Sequence, residues 1–296
     1  FAMHPDDINW DNIAEQADIC DEIVIDKYNQ AHRRYIGGVA INKKITTNIQ
    51  AENQMMAACD AIRWTDDDGK FGIFVGKYNS DPSLVLTDRD IYEIENRDGD
   101  DGESLDTHYF MSYTEPSFNM KGTQSGAFVA PDFDPLVEDP RTREVPVYAI
   151  QDHNQAIRVL KAGVRREHQK IRVGAIVGLR GLEAKRHRFL RLDLSDSSLS
   201  GVYEIAGVTD SYSGLALQLV LIRCESDWWN LAIGEEPDKP NVDISVSDQG
   251  DLDNIADVDM VIVSAASGGG TIFEATFPAP TRLDILVQIQ YLVRTH

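Results

Sequence analysis

Apolar residues in the first sixty positions recur at helical spacing. Ile13, Ala17 and Cys20 stand four and three residues apart with acids between them, which predicts a short helix over 11–22. A second helix is expected from about Asn48, a residue type suited to an N-cap, to Ala61, with Ile49, Met56 and Cys59 as its inner stripe. The period then changes. Residues 62–65 and 71–75 flank Asp66-Asp67-Asp68-Gly69-Lys70, the composition of a β-hairpin turn.

From Pro82 onward the pattern is mostly that of short strands bounded by turn residues: 83–86, 109–113, 145–150, 189–194, 203–208 and 216–222. One helix interrupts them over 154–169, with Ala156, Leu160 and Val164 on one face and Arg158, Lys161, Arg165 and Arg166 largely on another. Two stretches, 96–106 and 119–143, read as long exposed loops, and 234–240 reads as a polar, proline-punctuated linker. The runs 242–246, 260–264, 271–277 and 283–293 follow, too few for a complete seven-strand sandwich and so the opening part of a fibronectin-like one. The expected fold class is α+β, mostly β. Its three parts are a small α+β domain over 1–80, a β-barrel-like domain with one helix over 81–235, and a partial fibronectin III-like domain over 236–296.

Composition changes this picture mainly through charge. The 296 residues carry a net charge of −21, which repels nucleic acid from most of the surface. Between Arg158 and Arg191, however, eleven Lys and Arg stand against two acids. No apolar run approaches the roughly 20 residues needed to cross a bilayer, and the start has no signal-peptide layout, so the product is expected to be soluble and intracellular when made. The missing initiator Met and the end at Thr295-His296 read as an excised region of a longer polypeptide.

Candidate chemistry adds little. Cys20, Cys59 and Cys224 are widely spaced and read as reduced, mostly buried thiols rather than a zinc or disulfide framework. The acids at 98, 100, 101 and 103 do not fit a calcium loop, because Gly102 falls at the fifth position and Tyr109 at the twelfth. No Gly-x-Ser-x-Gly elbow or phosphate loop is present, and forty-nine acids make chance carboxylate pairs unavoidable. No catalytic residue, cofactor or metal is expected.

The order of these elements resembles the hub region of the tip-attachment, or host-specificity, proteins of lambda-like siphophages, prophages and gene transfer agents. The segments that carry the likeness are Tyr35-Ile36-Gly37-Gly38-Val39, Met55-Met56-Ala57-Ala58-Cys59 through Ile62-Arg63-Trp64, Gly69-Lys70-Phe71-Gly72-Ile73, Leu84 to Asp90, Phe110-Met111-Ser112-Tyr113-Thr114-Glu115-Pro116, and the region after Trp228. The resemblance implies a non-enzymatic virion protein at the distal end of the tail, assembled in the host cytoplasm as a homotrimer. It would contact the distal tail protein, the tape-measure protein and other tip proteins, with phage DNA passing through the channel without sequence-specific binding and host receptor contacts outside this region. Arg158, Lys161, Arg165, Arg166, Lys185, Arg186 and Arg188 are expected to face acidic surfaces of neighbouring subunits, and Trp228-Trp229 to anchor a domain junction. The alternative is a carbohydrate-binding adhesin or tail-associated glycan hydrolase, in which those tryptophans would stack on sugars.

Overall fold

Alternation at every second residue governs the largest sheet. The computed structural model describes residues 4–39, 47–66, 68–98, 105–116, 121–136, 139–211, 216–232, 234–239, 260–264 and 271–275. Its elements run α1 (Trp10–Asp21), β1 (Ile23–Ile25), β2 (Ala31–Arg33), α2 (Asn48–Ala58), β3 (Ile62–Thr65), β4 (Phe71–Phe74), β5 (Val85–Thr87), β6 (Ile91–Asp98), β7 (His108–Glu115), β8 (Lys121–Gln124) and β9 (Phe128–Val129). They continue β10 (Thr142–Pro146), α3 (His153–Glu167), β11 (Ile171–Val177), β12 (Phe189–Asp193), β13 (Gly201–Ser211), β14 (Ala216–Arg223), β15 (Met260–Ser264) and β16 (Thr271–Ala275). The fold is α+β and mostly β.

Six strands form one sheet in the order β5-β12-β13-β14-β11-β6, antiparallel except between β5 and β12. Val173, Ala175, Val177, Leu190, Leu192, Tyr203, Leu217, Leu219 and Leu221 alternate onto one face and fill a core with Leu84 and Leu86. Strands β5 and β6 stand at opposite ends of this order, yet only Asp88–Asp90 separates them. Six strands laid flat would put those ends about 24 Å apart at about 4.8 Å per neighbour, whereas the step from Thr87 to Ile91 spans at most about 14 Å. The sheet must therefore curl into a half-barrel, with β5 and β6 unpaired with one another. The Thr87 N–H and hydroxyl both donate to Asp90 Oδ2 at 2.9 Å, and the Asp90 N–H donates to Thr87 O at 2.9 Å, which closes the short turn.

A second sheet centres on β7, paired in parallel with β10 and antiparallel with β8 and β9. Helix α3 packs on it. Asp152 caps α3 by accepting from Gln155 N at 2.8 Å, and Arg165 and Arg166 lie in the last turn, where cations suit the helix dipole. Tyr109 and Tyr113, four residues apart on the same face of β7, reach His168 and His153 near the two ends of α3, each at 3.0 Å. Tyr35, Ala58 and Val75 join Tyr109, Met111, Tyr113, Ile157 and Leu160 in one core. Packing is thus continuous across residue 80, and residues 1–240 form one compact unit rather than the two expected.

Several other sequence expectations change. The cap of α2 is Thr47, which forms a capping box with Gln50, and the helix buries Ala51 and Ala58 while Ile49 is exposed. Strands β1, β2 and β11 occupy segments in which no strand was expected. Strand β6 runs into the start of the expected 96–106 loop, and β8, β9 and the start of β10 occupy the expected 119–143 loop. Residues 241–296 are a second compact unit, of which β15 and β16 form an antiparallel hairpin. The expected runs at 242–246 and 283–293 lie outside the described residues.

Two glycines test the packing. A Cβ on Gly76 would lie 2.6 Å from Trp229 Nε1 and 2.8 Å from Asp60 Cβ, whereas one on Gly163, inside α3, would meet nothing within 4 Å. Gly76→Ala is expected to cost about 1–3 kcal/mol and Gly163→Ala to gain about 0.5–1 kcal/mol. Urea denaturation of the two variants checks both signs.

Candidate functional site

Three of the eleven cations in the basic segment singled out by its composition are interior. Arg158, Lys161 and Arg188 are at most 3% exposed. Arg158 donates to Asn154 Oδ1 at 2.8 Å and to the Arg34 carbonyl, and its guanidinium lies 5.4 Å from the Tyr35 ring centroid. Lys161 donates to Asn230 O at 2.9 Å and Glu235 Oε2 at 2.8 Å, with Asp227 at 3.3 Å. These contacts correct the expectation that the three residues face a neighbouring subunit. A buried cation must be neutralised where it lies, and the neutralising groups come from this chain.

Four charged side chains form the centre. Asp60 follows α2 with φ 46°, a left-handed conformation that turns the chain sharply into β3. Its carboxylate accepts from Arg188 Nη2 at 2.7 Å, Arg166 Nη2 at 2.9 Å and the Trp229 indole at 2.7 Å. Glu204, projecting from β13 on the face opposite the half-barrel core, accepts from Arg188 Nε at 2.9 Å and Arg166 Nε at 2.7 Å. Arg188 also donates to the carbonyls of Asp60, at 2.6 Å, and Phe74, at 3.1 Å. Two carboxylates thus meet two guanidiniums. Burial alone would raise the Asp60 carboxyl, but Arg166 and Arg188 together with the Trp229 indole hold it below its ordinary value. Arg166 therefore also leaves the expected interface set.

Trp228 and Trp229 are each 1% exposed and pack with Phe189, Val202, Ile222, Cys224 and Ala162. They lie inside the unit 1–240 rather than at a junction, and no face of either is open for a sugar to stack on. The segment expected as a linker is likewise clamped down. Glu236 accepts from Asn154 Nδ2 at 2.8 Å and Lys27 N at 3.0 Å, Pro237 O faces His153 Nε2 at 3.2 Å, and Lys27 Nζ reaches Asp238 at 2.5 Å. A carbonyl oxygen can only accept, so His153 Nε2 carries the hydrogen and Nδ1 accepts from the Tyr113 hydroxyl.

Arg165, about a quarter exposed, stands 3.5 Å from Asp227. Lys185 and Arg186 are the exposed members of the set, and Lys185 Nζ lies 2.7 Å from Asp210. Sequence reasoning missed Asp60, Glu204, Glu236 and His153, because each is defined by a partner 16 to 128 residues away. All three cysteines are free thiols; burial pushes the Cys59 thiol up to about 12 and raises Cys20 and Cys224 as well. Among the described residues no group of three His, Cys, Asp or Glu could hold a metal ion. A cleft of about 320 Å³ beside the centre is lined by Gln16, Lys77, Tyr78, His187 and Arg188 among others.

Two measurements probe this arrangement. Asp60→Ala would leave two guanidiniums without their shared carboxylate and is expected to cost about 3–5 kcal/mol, against less than about 0.5 kcal/mol for exposed Lys185→Ala. Burial pushes the His153 imidazole below its ordinary value, with the Pro237 carbonyl offsetting this in part. An unfolded chain would protonate His153 where the folded one keeps it neutral, so its contribution is full above about pH 6.5 and is lost as pH falls below that. Stability should drop from pH 7 to pH 5, by at most about 1.4 kcal/mol per pH unit for one proton, and His153→Gln should flatten that slope in urea titrations at each pH.

No family model and no curated protein matches the chain. Among solved structures it is similar to a chain of the virion of a native gene transfer agent particle, at 16% identity and TM-score 0.46, over 63% of this chain and 42% of that one. It is also similar to a tail protein from Neisseria meningitidis MC58, at 14% identity and TM-score 0.41, over 74% of this chain and 65% of that one. A third likeness is to the 43 kDa tail protein of prophage MuSo2 from Shewanella oneidensis, at 10% identity and TM-score 0.38, over 64% and 55%. The chain spans less than two thirds of the length of each. Identities this low carry no residue role from one chain to another.

Proposed function

We propose that this chain is a structural subunit of a phage-type tail, acting at the distal tip as a hub that joins the tail tube to the tip and its fibres. It would assemble as a ring around the path of the DNA, in contact with the distal tail protein and the tape-measure protein. One observation supports the reading most: the segments that carry its sequence resemblance to tip-attachment proteins meet in three dimensions. Trp64 lies opposite Gly72 in the β3–β4 pair, and Trp229 donates to Asp60. Met111 and Tyr113 lie in the same core as Tyr35. Residues behind the resemblance thus help to hold one compact unit together, as a structural subunit requires. The cluster of Asp60, Arg166, Arg188 and Glu204 is consumed in holding that unit: Arg188 and Glu204 are buried and bonded to one another.

Electron microscopy of particles carrying a tagged chain tests this reading. Density for the tag in a closed ring at the distal tail end is the expected result, because a tube end needs cyclic closure. A tag found singly on the outside of the tail, or absent from the particle, overturns it.

A further inference from the structure

An exposed ridge on the half-barrel has a chemical complement elsewhere on the same chain. After β11 the chain makes a 3-10 helix over Leu179–Arg186. Three residues per turn align every third side chain. The row Gly181 and Ala184 is buried, and a Cβ on Gly181 would lie 2.1 Å from Val177 Cγ2, so the helix sits tightly on its sheet. The other two rows, Leu179-Leu182-Lys185 and Arg180-Glu183-Arg186, therefore point outward, and all six residues are exposed. Tyr92, 69% exposed on the end strand β6, extends this apolar strip, since its hydroxyl would lie 2.9 Å from a Cβ on Gly178. Two leucines and a tyrosine held outward on this ledge, with Lys185 and Arg180 outnumbering Glu183 at their rim, have the make-up of an interface core with a net cationic edge.

The complement is α1. Asn12 and Gln16 turn inward, and their side chains accept from the backbone of Ile73 at 2.8 Å and Val75 at 2.9 Å. That fixes the opposite face outward, where Asp11, Glu15 and Asp18 follow one another at spacings of four and three. No described cation pairs with any of the three. Trp10 stands beside them, 59% exposed, its indole pinned to Pro5 O at 3.0 Å. An acidic row with an aromatic anchor thus matches an apolar ridge with a basic rim. Present partners oppose the exchange little: Lys185 pairs with Asp210, both more than 40% exposed, Arg180, 51% exposed, stands 3.5 Å from Asp90, and such surface pairs contribute little.

We propose that the Leu179-Leu182-Lys185 ridge is a docking surface for α1 of a second copy of this chain. This rests on the reading of the protein as a ring-forming subunit and names the contact by which copies join. The apolar strip supplies the holding, and the acid-to-base match sets orientation and rate of encounter.

Sedimentation of the 296-residue chain tests it. The chain should self-associate more weakly as salt rises, since exposed charges are screened. Leu179→Glu with Leu182→Glu should weaken association by at least about tenfold, as should Asp11→Asn with Glu15→Gln and Asp18→Asn. Both variants should keep their melting temperature, because every substituted side chain is exposed. An equimolar mixture of the two should associate again, because the ridge of the neutralised chain still meets the intact α1 of the other. Undiminished association of either variant, or a mixture that stays apart, overturns this surface while leaving the tail-subunit reading to the particle images. A wild-type chain that sediments as a monomer at every concentration overturns docking between copies.

Discussion

Charge neutralisation around Asp60 is the constraint to which the rest of the unit conforms. An isolated carboxylate or guanidinium loses several kcal/mol on leaving water, so none of Asp60, Arg188, Glu204 and Arg166 can be placed independently. Each comes from a different element: the turn after α2, the approach to β12, strand β13 and the last turn of α3. Arg188 further ties down the carbonyls of Asp60 and Phe74. Replacing such a group with packed apolar side chains need not weaken a protein. What the charges do here is fix where two sheets and two helices stand relative to one another, because only one arrangement satisfies all four.

Helix α3 extends the same logic. Its sequence is polar on balance, yet eleven of its fifteen residues are buried. Burial is tolerable because most of its polar side chains find a partner in a different part of the chain. Gln155 donates to Ala58 O and accepts from Ile36 N, both at 2.8 Å, Arg158 reaches Arg34 O, Lys161 reaches Asn230 O, and His153 and Asn154 hold Pro237 and Glu236. Segments separated by as many as 124 residues are thereby gathered on one rod.

This explains what could be read from the sequence. Helices α1 and α3, the β3–β4 hairpin and strands β12 to β14 follow from local periodicity and turn chemistry, and they lie close to where periodicity puts them. Strand β11 was hidden because Ile171-Arg172-Val173-Gly174 carries a basic residue and a glycine beside a basic helix, and its partners β6 and β14 are distant in sequence. The candidate interface suffered more. Residue type says that Arg and Lys belong at the surface, and nothing local to Arg188 announces that Asp60, 128 positions earlier, will be its counter-ion. Lys185 and Arg186, three and two residues before it, are indeed exposed, so one basic run is divided between surface and interior where the 3-10 helix ends and the chain turns into β12.

The curl of the six-stranded sheet has a further consequence for any passage through an assembly of these chains. Its concave side holds Leu84, Leu86, Leu190, Leu192, Leu217, Leu219 and Leu221, each at most 3% exposed, with Tyr203 among them. A half-barrel stuffed with leucine is a wall and has no bore of its own. A conduit wide enough for a duplex would have to be enclosed by several copies standing side by side, its diameter set by how many there are and how they tilt. The inner lining would then be drawn from outward-facing residues of these strands and loops, so width and surface charge of the conduit could change without disturbing the hydrophobic interior that holds each copy together.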